Sequence, residues 1–163
     1  MISKENCLVI LDNGHGIETP GKRSPDESLR EYKWAREMVD ILIEEFSKLG
    51  IKTIKLVPEE NDISLRERVK RVNNIYKDNK NCILISIHCN AAGSGDKWCN
   101  ARGWSVFVAK NASNNSKRLA KLIYEEVGDL KGNRCVPSEK YWVASLAMCR
   151  DTKCPAVLTE NLF

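Results

Sequence analysis

Leu8-Val9-Ile10-Leu11-Asp12-Asn13-Gly14-His15-Gly16-Ile17-Glu18-Thr19-Pro20-Gly21-Lys22 joins an apolar run to a polar, glycine-rich loop. A short continuous apolar run of this kind reads as a strand buried on both faces, here Cys7 to Asp12. The loop has two chemical readings. Gly16 to Lys22 fits the G-x-x-x-x-G-K spacing of a phosphate loop, and His15 is one of only 2 histidines in the chain.

The phosphate reading fails on its context. Magnesium needs Ser or Thr directly after the lysine, and the next residue is Arg23. Pro20 removes a main-chain amide, and the next helical pattern begins only near residue 29, too late to aim its amides at a phosphate. Lys22 and Arg23 are more simply a basic rim.

Outward from this stretch, strands and helices alternate. Residues 29 to 49 predict a helix, with Trp34, Met38, Leu42, Phe46 and Leu49 on one face and Gly50 as its stop. Ile51 to Val57 alternates as a strand does. Ser64 to Asp78 predicts a charged helix with Leu65, Val69, Val72 and Ile75 inward. Cys82 to Ile87 is a third strand, Trp104 to Ala109 a fourth, and Pro155 to Thr159 the last. A third helix is expected over residues 113 to 130, with Leu119, Ile123, Val127 and Leu130 inward, and a short helix within Pro137 to Cys149. This order implies a single α/β domain, residues 1–163, with a mostly parallel twisted sheet and helices on both faces.

The totals agree. A chain of 163 residues, 42% hydrophobic and 29% charged, can bury one core. No apolar stretch reaches the roughly 20 residues of a membrane helix. The first residues lack the basic-then-apolar pattern of a secretory signal, so synthesis in the cytoplasm is expected. The net charge of +4 is a weak pointer to an anionic partner. Seven cysteines, an odd number without a C-x-x-C pair, are read as reduced thiols.

Ligands of an open parallel sheet bind beyond the carboxyl ends of its strands. His15 follows the first strand, His88 follows the third, and Glu160 closes the last. Two histidines begin a metal site, and a catalytic zinc usually takes a third protein ligand. Glu31, in the first helical turn, can supply it. Yet Ser28-Leu29-Arg30-Glu31 also spells a capping box, in which Glu31 would bond back to the helix start. Spacing leaves the two readings equal. Glu18, Asp26 and Glu27 are rival carboxylates in the loop, and Cys89 is a rival thiolate.

Four segments together resemble the zinc-dependent N-acetylmuramoyl-L-alanine amidases of the amidase-3 group. They are Leu11 to Gly16, Glu31, Ser86-Ile87-His88-Cys89-Asn90-Ala91, and Pro155 to Phe163. The resemblance spans essentially the whole chain and implies one zinc ion on His15, Glu31 and His88, with Glu160 as the catalytic glutamate and Asn90 in contact with substrate. Leu65-Arg66-Glu67-Arg68 with Asn73 also resembles the family and is read as mainly structural. Asn13 stands where the family commonly has alanine, and Cys89 replaces a small residue.

The implied reaction is hydrolysis of the amide between N-acetylmuramic acid and L-alanine of peptidoglycan. The expected partner is the wall, reached by phage-type release or, equally open, in a spore or other lysis role, with no nucleic acid, no membrane insertion and a monomeric state. The alternatives are a zinc peptidase cutting within the stem peptide, a wall-binding module without catalysis, and a phosphate-binding regulator. Cobalt or manganese could replace zinc in vitro. Because the family usually continues beyond the position of Phe163, a closing C-terminal helix is expected to be missing. Residues 131 to 154 are too few for the inhibitory helix some members insert, so an open cleft is expected.

Overall fold

The computed structural model describes residues 7–92, 96–127 and 136–161. Among these residues, six strands form one sheet: β1 (Leu8–Asn13), β2 (Lys52–Lys55), β3 (Cys82–Cys89), β4 (Trp104–Val108), β5 (Trp142–Val143) and β6 (Ala156–Asn161). Their order is β2-β1-β3-β6-β4-β5, and every pairing is parallel except β4 with β6. The helices are α1 (Glu31–Lys48), α2 (Leu65–Asp78), α3 (Asn114–Glu126) and α4 (Ala147–Arg150).

Alternation along β1 decides which helix meets which face. Val9 and Leu11 pack with Val39 and half-buried Trp34, Met38 and Phe46 of α1. Ile10 points the other way, to Val72 of α2 and Met148 of α4. Ala120 and Tyr124 of α3 cover Val106, Val108 and Val157. Ile85 packs against both the α1 and α3 clusters, which puts those two helices on one face. The result is the expected mostly parallel sheet with helices on both sides.

Several boundaries differ from the sequence reading. Leu49 lies past the end of α1, where Gly50 takes φ +70°, and is 60% exposed rather than inward. Leu65 is the first residue of α2, ahead of the buried stripe, and is also exposed. The second strand shrinks to Lys52–Lys55, while β3 runs two residues further than expected, so His88 and Cys89 lie within it. The two-residue β5 carries no readable period; Trp142 holds it by packing on Phe107 and Tyr124. The short helix expected within Pro137 to Cys149 is α4. Leu130, Cys135, Leu162 and Phe163 lie outside the described residues, as does part of the 131–154 segment. The described cysteines are free thiols, and no helix among the described residues is long and apolar enough to cross a membrane.

Candidate metal centre

β1 and β3 are parallel neighbours; β1 ends with Asn13 opposite Ile87, and β3 runs two residues further. The chain turns at Gly14-His15-Gly16, where His15 adopts a left-handed φ of 61°. Both glycines are required by close approach. A Cβ on Gly14 would lie 2.4 Å from the His88 ring, and one on Gly16 would lie 2.1 Å from the Asp62 amide nitrogen. The His15 and His88 rings meet edge to face, with centroids 4.9 Å apart.

The loop then delivers a carboxylate. Arg23 pairs with Arg30 as an isolated antiparallel bridge, the Ser24 amide donates to the Leu29 carbonyl, and the Glu31 amide donates to the Lys22 carbonyl. This folded-back segment fixes where α1 starts. Glu31, its first residue, is only 5% exposed. Its Oε1 lies 3.2 Å from His15 Nε2 and 3.0 Å from His88 Nδ1, and it accepts a bond from the Cys89 amide at 3.1 Å.

The capping-box reading of Glu31 is therefore overturned. The N-cap is Arg30, which makes no side-chain cap bond, and Ser28 turns its hydroxyl to Asp26. Burial works against the Glu31 charge. Hydrogen bonds from the two histidines, then their charges, outweigh it and hold the carboxyl at about 2.

His15, Glu31 and His88 each offer a ligand atom, and these atoms lie within 4.8 Å of one another. Ligands at about 2.05 Å around a tetrahedral ion stand about 3.3 Å apart. The separations of 3.0 and 3.2 Å from Glu31 fit that geometry. The cluster is thus able to hold a metal ion. The rival carboxylates are engaged elsewhere: Glu18 accepts from the Asp62 amide, Asp26 from Ser24 and Ser28, and Glu27 pairs with Arg23 and Arg30. Cys89, next to His88 on β3, points to the opposite face of the sheet. Burial, then the charges of Glu31 and Glu160, push its thiol up to about 12.

Glu160 stands directly across from His88 in the β3–β6 register, on the same face and one strand spacing away. Asn90 extends beyond β3. Its Oδ1 accepts from the Ala91 amide, while its Nδ2 is buried without a protein partner. Asn90 and Glu31 line a cavity of about 120 Å³ with Lys22, Arg23 and Trp98. A second cavity, about 220 Å³, opens beside His15 and His88. The structure thus places all five residues singled out in the sequence at one edge of the sheet.

Three neighbours were not assigned to the site from sequence. Asn161 accepts from the Trp104 indole at 2.6 Å and donates to the His88 carbonyl at 2.9 Å. Arg36 and Arg68 both donate to the His15 carbonyl. Arg68 had one readable signal: it stands one turn before Val72 on the inner stripe of α2, where a charge needs a buried partner.

A family model for N-acetylmuramoyl-L-alanine amidases (Amidase_3) matches residues 9–163. The chain belongs to this amidase family. Among solved structures, an N-acetylmuramoyl-L-alanine amidase from Clostridium difficile 630 superposes with a TM-score of 0.78 at 25% identity, covering 96% of this chain and 79% of that one. The CwlD amidase from Clostridioides difficile, solved in complex with the GerS lipoprotein, gives 0.69 at 27% identity, covering 96% and 82%. A Bacillus phage SPP1 endolysin is 25% identical over 160 residues, 96% of this chain. The chain spans about half, 54%, of that endolysin's length.

Proposed function

We propose that this amidase hydrolyses the bond between the lactyl group of N-acetylmuramic acid and L-alanine, using one zinc ion held by His15, Glu31 and His88. The observation that carries the reading is the Glu31 carboxylate, buried and facing two imidazoles at 3.0 and 3.2 Å. Two imidazoles and one carboxylate favour zinc over magnesium or calcium, which prefer all-oxygen sites. When bound, zinc supplies Lewis-acid polarisation of the scissile carbonyl and makes water acidic enough to lose a proton near neutral pH.

The remaining work falls to this chain's own side chains. Glu160, level with His88, takes the proton from water and returns it to the leaving L-alanine amine. Asn90, which lines the cavity beside Glu31, contacts an acceptor oxygen of the substrate. Asn161 holds the His88 backbone in register through its carbonyl. The likeness to a phage endolysin supports a lysin role, in which a chain made in the cytoplasm meets the wall after release.

Mass spectrometry of products from purified peptidoglycan, with and without a chelator, tests this directly. The expected products are stem peptides with a free N-terminal L-alanine, absent when the metal is removed. Peptides cut internally would assign a peptidase instead, and no release from zinc-loaded protein would leave a wall-binding module. Glu160→Gln is expected to retain zinc and lose about 10²- to 10⁴-fold in kcat. Near-normal turnover by that variant would remove Glu160 from the mechanism.

A further inference from the structure

The guanidinium of Arg68 has five N–H groups, and all five are matched. Nε donates to the Ile63 carbonyl at 2.7 Å; Nη1 donates to Asp12 Oδ1 and to the Asn13 carbonyl, both at 2.7 Å. Nη2 donates to the His15 carbonyl at 3.1 Å and to Asp62 Oδ1 at 3.2 Å. From the other side of the loop, Arg36 Nη1 donates to the same His15 carbonyl at 3.2 Å, while its Nη2 donates to the Glu59 carbonyl at 2.6 Å. A carbonyl oxygen has two lone pairs, so one guanidinium from α1 and one from α2 saturate it.

Bringing two cations onto one oxygen is electrostatically costly, and Asp12 and Asp62 oppose that cost. What the arrangement secures is the conformation of Gly14-His15-Gly16. Two glycines leave such a segment with wide backbone freedom, and left-handed histidine is sparsely populated. We propose that Arg36 and Arg68 are positioning residues that hold His15 ready to bind metal by jointly fixing its main-chain carbonyl. The inference rests on the metal reading above and assigns a role in the site to part of the Leu65–Arg68 pattern. Asn73 of that pattern keeps the structural role, binding the Asp151 carbonyl and the Lys153 amide.

Sign separates positioning from simple charge. Two cations near a bound dication repel it, so on charge alone Arg36→Gln would tighten zinc binding. Positioning demands the opposite. Zinc dissociation constants, measured by competition with a chelator on the full chain, are expected to rise about 10- to 100-fold in Arg36→Gln and in Arg68→Lys. Lysine keeps the charge but cannot reproduce the five-donor fork. Lys77→Gln, in the last turn of α2, is expected to bind zinc as the parent does. In the metal-free state, the His15 imidazole NMR signals should broaden or shift in the first two variants and not in the third.

Arg36 is half-exposed, so Arg36→Gln decides the matter should Arg68→Lys fail to fold. Parent-like or tighter zinc binding by Arg36→Gln would overturn the inference while leaving the metal reading intact. A parent chain that binds no zinc would overturn both.

Discussion

Arg68 and Arg71 stand one turn apart on α2, and each grips a carboxylate. Arg68 meets Asp12 at 2.7 Å with side chains 3% and 1% exposed. Arg71 meets Glu59 at 2.8 Å with 28% and 40% exposed. By distance the pairs are alike, yet their surroundings make them different objects. The Arg71 pair is solvated and screened, and pairs of that kind contribute about 0.2–1 kcal/mol. The Arg68 pair lies where an unpartnered charge is very costly, and its members also hold the site: Ser86 Oγ donates to Asp12 Oδ2, and Arg68 reaches the His15 carbonyl. Burial makes one ion pair a support of the candidate metal site and leaves the other at the partly solvated flank of the helix.

The largest effect expected from this contrast is that of Asp12→Ala, which strands the Arg68 charge in the interior. Urea unfolding should show a loss of about 3–5 kcal/mol. A loss no larger than that of Glu59→Ala would erase the distinction between the two pairs.

A smaller effect concerns Cys149, whose thiol is pushed up to about 12, first by burial and then by the charge of Asp12. The folded chain keeps a proton that the unfolded chain gives up near 9, the ordinary thiol value. The stability this contributes is complete below that pH and is lost as pH rises from about 9 toward 12, at no more than about 1.4 kcal/mol per pH unit. Unfolding measured against pH should therefore have a shallower alkaline slope in Cys149→Ala than in the parent; equal slopes would mean the thiol titrates alike in both states.

Smallest is Glu59→Gln, at about 0.5 kcal/mol in dilute salt and less in concentrated salt. The Arg71 hydrogen bond holds the Glu59 carboxyl at about 2, below its ordinary value of 4.5. Its contribution is present above 4.5 and fades as pH falls toward 2, so parent and variant should converge across that window. A difference that persists unchanged at low pH would show that the charge is not its source.

Legibility in the sequence followed the range of the interactions. The apolar run that opens β1, the periodic faces of α1 and α2, and the histidines at strand ends were readable because neighbours in sequence carry the signal. Glu31 was ambiguous on spacing because a cap and a metal-facing carboxylate occupy the same position of a first turn. Resemblance favoured the second role, and the folded loop from Arg23 to Arg30 is what prevents the first by making Arg30 the cap. Arg68 was read only as part of a structural pattern, since its partners Asp12 and Asn13 lie 56 and 55 residues away. The two residues of β5 had no period to read.

By itself, then, the sequence determined the alternation of strands and helices, the mostly parallel sheet, and the edge at which the polar residues gather, because hydrophobic period and strand polarity are local properties of the chain. The tertiary structure alone decided that Glu31 faces two imidazoles and that two arginines from different helices meet on one carbonyl. Those outcomes depend on burial and on distances between residues far apart in the chain, and both exist only once the helices have packed against the sheet.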